Sequence, residues 1–185
     1  VGDTTTAHIM PKALTVSGNI ASNKTYDSSS SATVAIALSG FIGTETLTST
    51  NSSTFNNKNV GAGKTVTVNS ITLADGTNGG LASNYSISTG QTTTADITAK
   101  SLSVSGITAS NKTYDGATTA ATTLTFTGLV GSETLGQTVG STFDNKNVGS
   151  NKTVTVNSIT LADGTSGGLA SNYSVSAGQT TTADI

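Results

Sequence analysis

Apolar and small polar residues alternate with a period of two in five stretches of the first half of the chain: LTVSG at 14–18, TVAIAL at 33–38, KTVTVNSITL at 64–73, NYSIS at 84–88 and TADI at 94–97. Successive side chains of a strand point to opposite faces, so this pattern predicts strands with one buried face. Stripes at helical spacing are absent. In TVTVNSITL the inward set runs Val66, Val68, Ile71 and Leu73, so Asn69 and Ser70 break the alternation and predict a β-bulge. The Gly-rich segment ADGTNGGLASN predicts turns, with room for one short helical turn at LASN.

The second half repeats the first. A shift of 88 aligns residues 12–97 with 100–185 without a gap, and about two thirds of the pairs are identical. The broken alternation recurs at Val154, Val156, Ile159 and Leu161, and the turn segment recurs as ADGTSGGLASN. The period is too long for a β-helix coil or a leucine-rich unit and fits one sandwich-sized domain. The expected architecture is therefore all-β: two tandem Ig-like or β-grasp-like sandwich domains arranged end to end. Residues 1–9 are read as a terminal strand or leader from a repeat edge, 10–97 as the first domain and 98–185 as the second. Only Thr98, Ala99, Lys100 and Ser101 separate the last strand of one copy from the first of the next, which predicts a stiff linker and an extended rod.

Composition narrows the function classes. Ser and Thr make up about a third of the chain, against 34% hydrophobic, 4% aromatic and 10% charged residues, a bias toward exposed strands and turns. Eight Lys, no Arg and ten acids leave a net charge of -2, which removes the electrostatic footprint of a nucleic-acid binder. Without Cys there is neither a disulfide framework nor thiolate metal ligation. No stretch is apolar for long enough to predict a membrane-spanning helix. Residues 1–11 lack the charged and apolar regions of a signal peptide, so the chain reads as an internal piece of a longer protein.

Several ordered motifs recur in both copies: NKTYD at 23–27 and NKTYDG at 111–116, FNNKNVGAGKTVTV and FDNKNVGSNKTVTV, SNYSI and SNYSV, and the closing TTTADI. Together they resemble the YDG repeat, found in tandem in large secreted bacterial adhesins of the filamentous-haemagglutinin type. The resemblance covers nearly the whole chain. It implies a non-enzymatic stalk or spacer in a secreted or cell-surface adhesin, extending a distal tip for cell adhesion or biofilm formation. The expected partners are neighbouring repeats of the same polypeptide, with surface or matrix glycans reached through the parent protein. No nucleic acid and no membrane insertion are expected, and the chain is expected to be a monomer. The first copy departs by carrying Ser28 where the second has Gly116, so a turn with positive φ is less comfortable there.

Candidate chemistry is sparse. The structural motif is Lys24, Tyr26 and Asp27 with Lys112, Tyr114 and Asp115. Each Tyr can bury its ring with the hydroxyl hydrogen-bonded, and each Asp can bond backbone N–H groups in the following turn. A sharper reading makes Lys24 and Lys112 the nucleophiles of autocatalytic isopeptide bonds, with Asn84 and Asn172 as acceptors and Glu45 and Glu133, or Asp27 and Asp115, as proton-shuttling acids. The only His, His8, takes the place of Asp96 and Asp184 in the repeat and reads as drift, which leaves no Ser-His pairing for nucleophilic catalysis. No cofactor is expected. Asp75 and Asp163, in the Gly-rich turns, are weak candidates for calcium, because each loop supplies one carboxylate where strong sites gather several oxygens. Ranks of Thr in TTTADIT and ATTLTFTG keep a carbohydrate- or ice-binding module as an alternative, beside the self-crosslinking domain.

Overall fold

The computed structural model describes Asp3 and residues 5–185. The chain divides into two compact units. Unit 1 holds residues 1–24 and 29–97, and unit 2 holds Thr25–Ser28 together with Thr98–Ile185.

Unit 1 contributes β1 (Lys12–Ala21), β2 (Lys24–Thr25), β3 (Ser31–Ala32), β4 (Val34–Ser39), β5 (Leu47–Phe55), β6 (Gly61–Asp75), β7 (Tyr85–Ile87) and β8 (Thr92–Thr98). They form a three-stranded sheet, β4-β1-β7, and a five-stranded sheet, β2-β8-β6-β5-β3. β1 runs antiparallel to β4 and parallel to β7. The first sheet buries Leu14, Val34 and Tyr85; the second buries Phe55, Val66, Val68, Ala95 and Ile97.

Unit 2 repeats the plan with β9 (Lys100–Ser101), β10 (Ser103–Ala109), β11 (Thr119–Ala120), β12 (Thr122–Thr127), β13 (Leu135–Phe143), β14 (Lys152–Asp163), β15 (Tyr173–Ser174) and β16 (Thr180–Ala183). A four-stranded sheet, β11-β13-β14-β16, is accompanied by the pairs β10-β12 and β15-β9. Ala109 of β10 and Ala120 of β11 pack on Phe143, Val154 and Ala183, which closes the core. Lys100 and Ser101, expected as linker, are strand residues that pair in parallel with Tyr173 and Ser174.

The all-β expectation holds. Among the described residues the helical elements are two single 3-10 turns, Ala82–Asn84 and Ala170–Asn172, so the helix that a β-grasp fold packs across its sheet is missing. The predicted bulge sits where the alternation breaks. Ser52 pairs with Ser70 and Ser53 with Val68, so Asn69 is the extra residue, and its side chain reaches Thr54 Oγ1 at 3.0 Å. Asn157 does the same in β14, bonding Thr142 Oγ1 at 3.0 Å.

The Gly-rich turns close around a threonine. Thr46 N–H donates to the Thr77 carbonyl, Thr77 N–H to Thr46 Oγ1, and Gly76 N–H to the Gly80 carbonyl. Asp75 accepts the Ala82 N–H at 2.7 Å, which ties the turn to the 3-10 element, and Asp163 accepts the Ala170 N–H at the same distance. The conformational demand at Ser28 is as expected: its φ is +62°, and the φ of Gly116 is +80°.

Candidate functional site: a tyrosine–glutamate cluster

Within unit 2, Glu133 is a buried acid, 7% exposed, at the entry to β13. Burying a carboxylate is costly unless its lone pairs are met. Both oxygens are. The Tyr26 hydroxyl donates to Oε1 at 2.7 Å and the Tyr173 hydroxyl donates to Oε2 at 2.6 Å. The Tyr173 hydroxyl oxygen in turn accepts the Val130 N–H at 3.0 Å. The two rings meet edge to face, 5.4 Å between centroids and 77° between planes, an arrangement favoured by the aromatic quadrupole. Asn172, fully buried, hydrogen-bonds the Tyr26 hydroxyl, and Tyr26 N–H donates to the Thr98 carbonyl at 2.9 Å. Burial pushes both phenols upward in pKa, and the bonds to Glu133 push further in the same direction. A phenol that is hard to deprotonate and spent on a carboxylate is a structural donor.

Unit 1 carries the same acid and tyrosine. The Tyr85 hydroxyl donates to Glu45 Oε2 and accepts the Ile42 N–H at 3.1 Å, while the ring packs edge to face on Phe41 at 5.8 Å. The bond to Glu45 raises the Tyr85 pKa. Asn84, the counterpart of the buried Asn172, is exposed.

The lysines stand elsewhere. Lys24 Nζ donates to the Ser29 carbonyl and Oγ, both at 3.0 Å, and to the Ser31 carbonyl at 3.1 Å. Lys112 Nζ donates to the Ala117 carbonyl at 2.9 Å and the Thr119 carbonyl at 3.1 Å, and pairs with Asp115 at 2.8 Å. Both ammonium groups lie 5.8 Å from a phenyl centroid, over Phe55 and Phe143 respectively. The expected grouping of each Lys with an Asn and a Glu is therefore corrected. The lysines clamp the loop after the motif, and Glu133 and Asn172 serve tyrosines. Asp115 also accepts the Ala117 N–H at 2.9 Å, the turn bond expected of it, and the Lys112 contact holds its carboxyl below the usual range.

The two motif tyrosines differ. Tyr26 is 1% exposed, whereas Tyr114 is 53% exposed, so the expectation of a buried ring fails for the second copy. Asp75 and Asp163 hold backbone N–H groups, and no cluster of three or more His, Cys, Asp or Glu gathers among the described residues. Tyr85 and Tyr173 were given no role by the sequence pattern. The signal was present as SNYS repeated downstream of an acid followed by Thr-Leu, but nothing local says that the two meet.

The YDG domain family matches the chain twice, over residues 10–95 and 98–183. The chain belongs to the YDG domain family. No curated protein sequence and no solved structure matches it. In this YDG pair Tyr26 supplies a buried ring and a hydroxyl, Asp115 ties its turn, and Gly116, or Ser28 in its place, turns the chain at positive φ.

Proposed function

We propose that the two YDG domains are structural spacer repeats of a larger secreted or cell-surface bacterial adhesin, carrying a distal tip that does the binding. The observation that carries this reading is the use made of the repeated polar side chains. Lys24 and Lys112 hold loop carbonyls, Asp75 and Asp163 hold turn N–H groups, and Glu133 is consumed by two tyrosines. Each of these polar groups serves the fold. Gapless duplication supports the same reading, since a spacer is lengthened by adding copies without redesigning them. The all-strand build suits a load-bearing element, because antiparallel ladders such as β5/β6 and β13/β14 distribute strain over many hydrogen bonds.

Single-molecule pulling of the chain from its two ends tests the proposal. Two force peaks are expected, each releasing on the order of 300 Å of chain for a domain-sized segment at about 3.5 Å per residue. Extension without force peaks overturns the spacer reading. So does specific binding on a glycan array, or thermal hysteresis, by the isolated chain, since either would place the activity in these domains.

A further inference from the structure

Unit 2 is built from two separated stretches of chain, and the smaller of them is the tetrapeptide Thr25–Ser28. One side chain anchors it. Tyr26 is 1% exposed, whereas Thr25 and Asp27 on either side of it are exposed. Its hydroxyl meets Glu133 Oε1 and Asn172, its N–H donates to the Thr98 carbonyl, and its ring stands edge to face on Tyr173. An aromatic seated alone in a desolvated pocket is the form that an anchor residue takes at a binding interface.

Each side of this contact is held in shape by its own bonds. Lys24 Nζ holds the Ser29 and Ser31 carbonyls, and Lys112 Nζ holds the Ala117 and Thr119 carbonyls in the same way beside Tyr114, which is 53% exposed. The motif loop thus keeps its form whether or not its tyrosine is buried. On the receiving side Glu133 Oε2 takes the Tyr173 hydroxyl, which takes the Val130 N–H, and Glu45, Tyr85 and the Ile42 N–H make the same pair of bonds in unit 1. What differs is the ring. Phe41 stands edge to face on Tyr85, whereas the matching position of unit 2 is Leu129 and Tyr26 supplies the ring there. Two preformed sides meet with little ordering cost. We propose that Glu133, Tyr173 and Asn172 form a docking site that selects a tyrosine, and that Thr25–Ser28 is its ligand, carried on the same chain and able to leave while the rest of unit 2 stays folded. The selection is for a phenol. Phenylalanine fills the same space but brings Glu133 no donor, and a site built to hydrogen-bond a hydroxyl rejects the analogue that lacks it.

Hydrogen exchange of the unaltered chain, followed by NMR at rising urea below the unfolding transition, reads the undocking. The Tyr26 N–H, bonded to the Thr98 carbonyl, is expected to exchange at least about tenfold faster than the Val156 N–H of β14, which bonds the Gln179 carbonyl. Its exchange is also expected to depend less on urea, because a local opening exposes little surface. The selection is read with p-cresol, the tyrosine side chain as a free molecule. The Tyr26→Ala chain is expected to remain folded by circular dichroism, and p-cresol is expected to raise its unfolding temperature more than toluene does. The unaltered chain, whose site is filled, is expected to respond to neither. Exchange of the Tyr26 and Val156 amides through one shared opening would make Tyr26 permanent core and overturn the docking, as would a Tyr26→Ala chain that does not fold. Equal effects of p-cresol and toluene, or no effect of either, would overturn the selection for a phenol. None of these outcomes bears on the glycan and thermal-hysteresis measurements that test the spacer reading.

Discussion

The Tyr26 hydroxyl donates to Glu133 Oε1 at 2.7 Å across 107 positions of sequence, and both residues lie within unit 2. Tyr26→Phe keeps the ring and removes only this donor, which takes one hydrogen bond from a buried carboxylate. The expected loss is about 1–3 kcal/mol of unit 2 stability. Tyr26→Ala adds the cavity left by a ring that is 1% exposed, for a total of about 3–5 kcal/mol. Urea unfolding of the full chain checks both, with Tyr114→Phe as the control on an exposed ring.

Alkaline pH attacks the same cluster. Burial first, and the bonds to Glu133 second, raise the pKa of both Tyr26 and Tyr173 above that of a free phenol. The native state then holds protons that the unfolded chain has released. The stability this contributes is whole below the unfolded value of about 10 and is lost as pH rises through the native values. Thermal unfolding temperatures are expected to fall steeply above pH ~10, with less of a fall in Tyr26→Phe. In an absorbance titration, Tyr26→Phe and Tyr173→Phe should each remove a late-ionising phenol. Removal of a phenol that ionises near 10 would contradict the cluster.

Strand positions and the Asn69 and Asn157 bulges were legible because alternation is a local property, written in consecutive residues. The positive φ at Ser28 was legible from the Gly at the matching place in the other copy. Glu133 and Asn172 were singled out as the acid and the acceptor of a crosslink, which misassigned them to Lys112. Tyr26 and Tyr173 lie 107 and 40 positions from Glu133, and periodicity reports which face a residue occupies without saying what approaches that face. Tyr26 and Tyr114 make the limit plain. The same hexapeptide, SNKTYD, surrounds both, so no local rule could bury one and expose the other.

Ser28 is expected to be a point where the chain can be stabilised. A non-glycine residue at φ +62° carries a left-handed penalty of about 1–2 kcal/mol, part of which glycine returns as unfolded-state entropy. Ser28→Gly should therefore gain about 0.5–1 kcal/mol, and Gly116→Ser should lose a similar amount. Chemical denaturation midpoints with an unchanged slope would establish both as changes in stability.

The intact mass of the chain is expected to equal the mass of its sequence. Lys112 Nζ is occupied by the Ala117 and Thr119 carbonyls and by Asp115, and Lys24 Nζ by Ser29 and Ser31, so both amines are spent on the loop after the motif. A deficit of one ammonia or one water per copy in the mass spectrum would establish an isopeptide bond and return the lysines to chemistry.

Two glycines in each repeat are fixed by contact. A Cβ on Gly76 or on Gly80 would lie 2.0 Å from the Thr46 carbonyl oxygen, and on Gly168 2.0 Å from that of Thr134. These neighbours are backbone atoms held by the turn's own hydrogen bonds, so relief requires opening the loop around Thr46. Gly80→Ala is expected to cost at least about 2 kcal/mol. Gly79 sits one residue away at φ +86° with nothing near its missing Cβ, so Gly79→Asn, which tolerates that conformation, should cost under about 1 kcal/mol. Calcium should rescue neither variant, since Asp75 is engaged by the Ala82 N–H. Equal losses at Gly79 and Gly80, or recovery of the Gly80→Ala unfolding temperature on adding calcium, would show that the loop is held by something other than the close approach to Thr46.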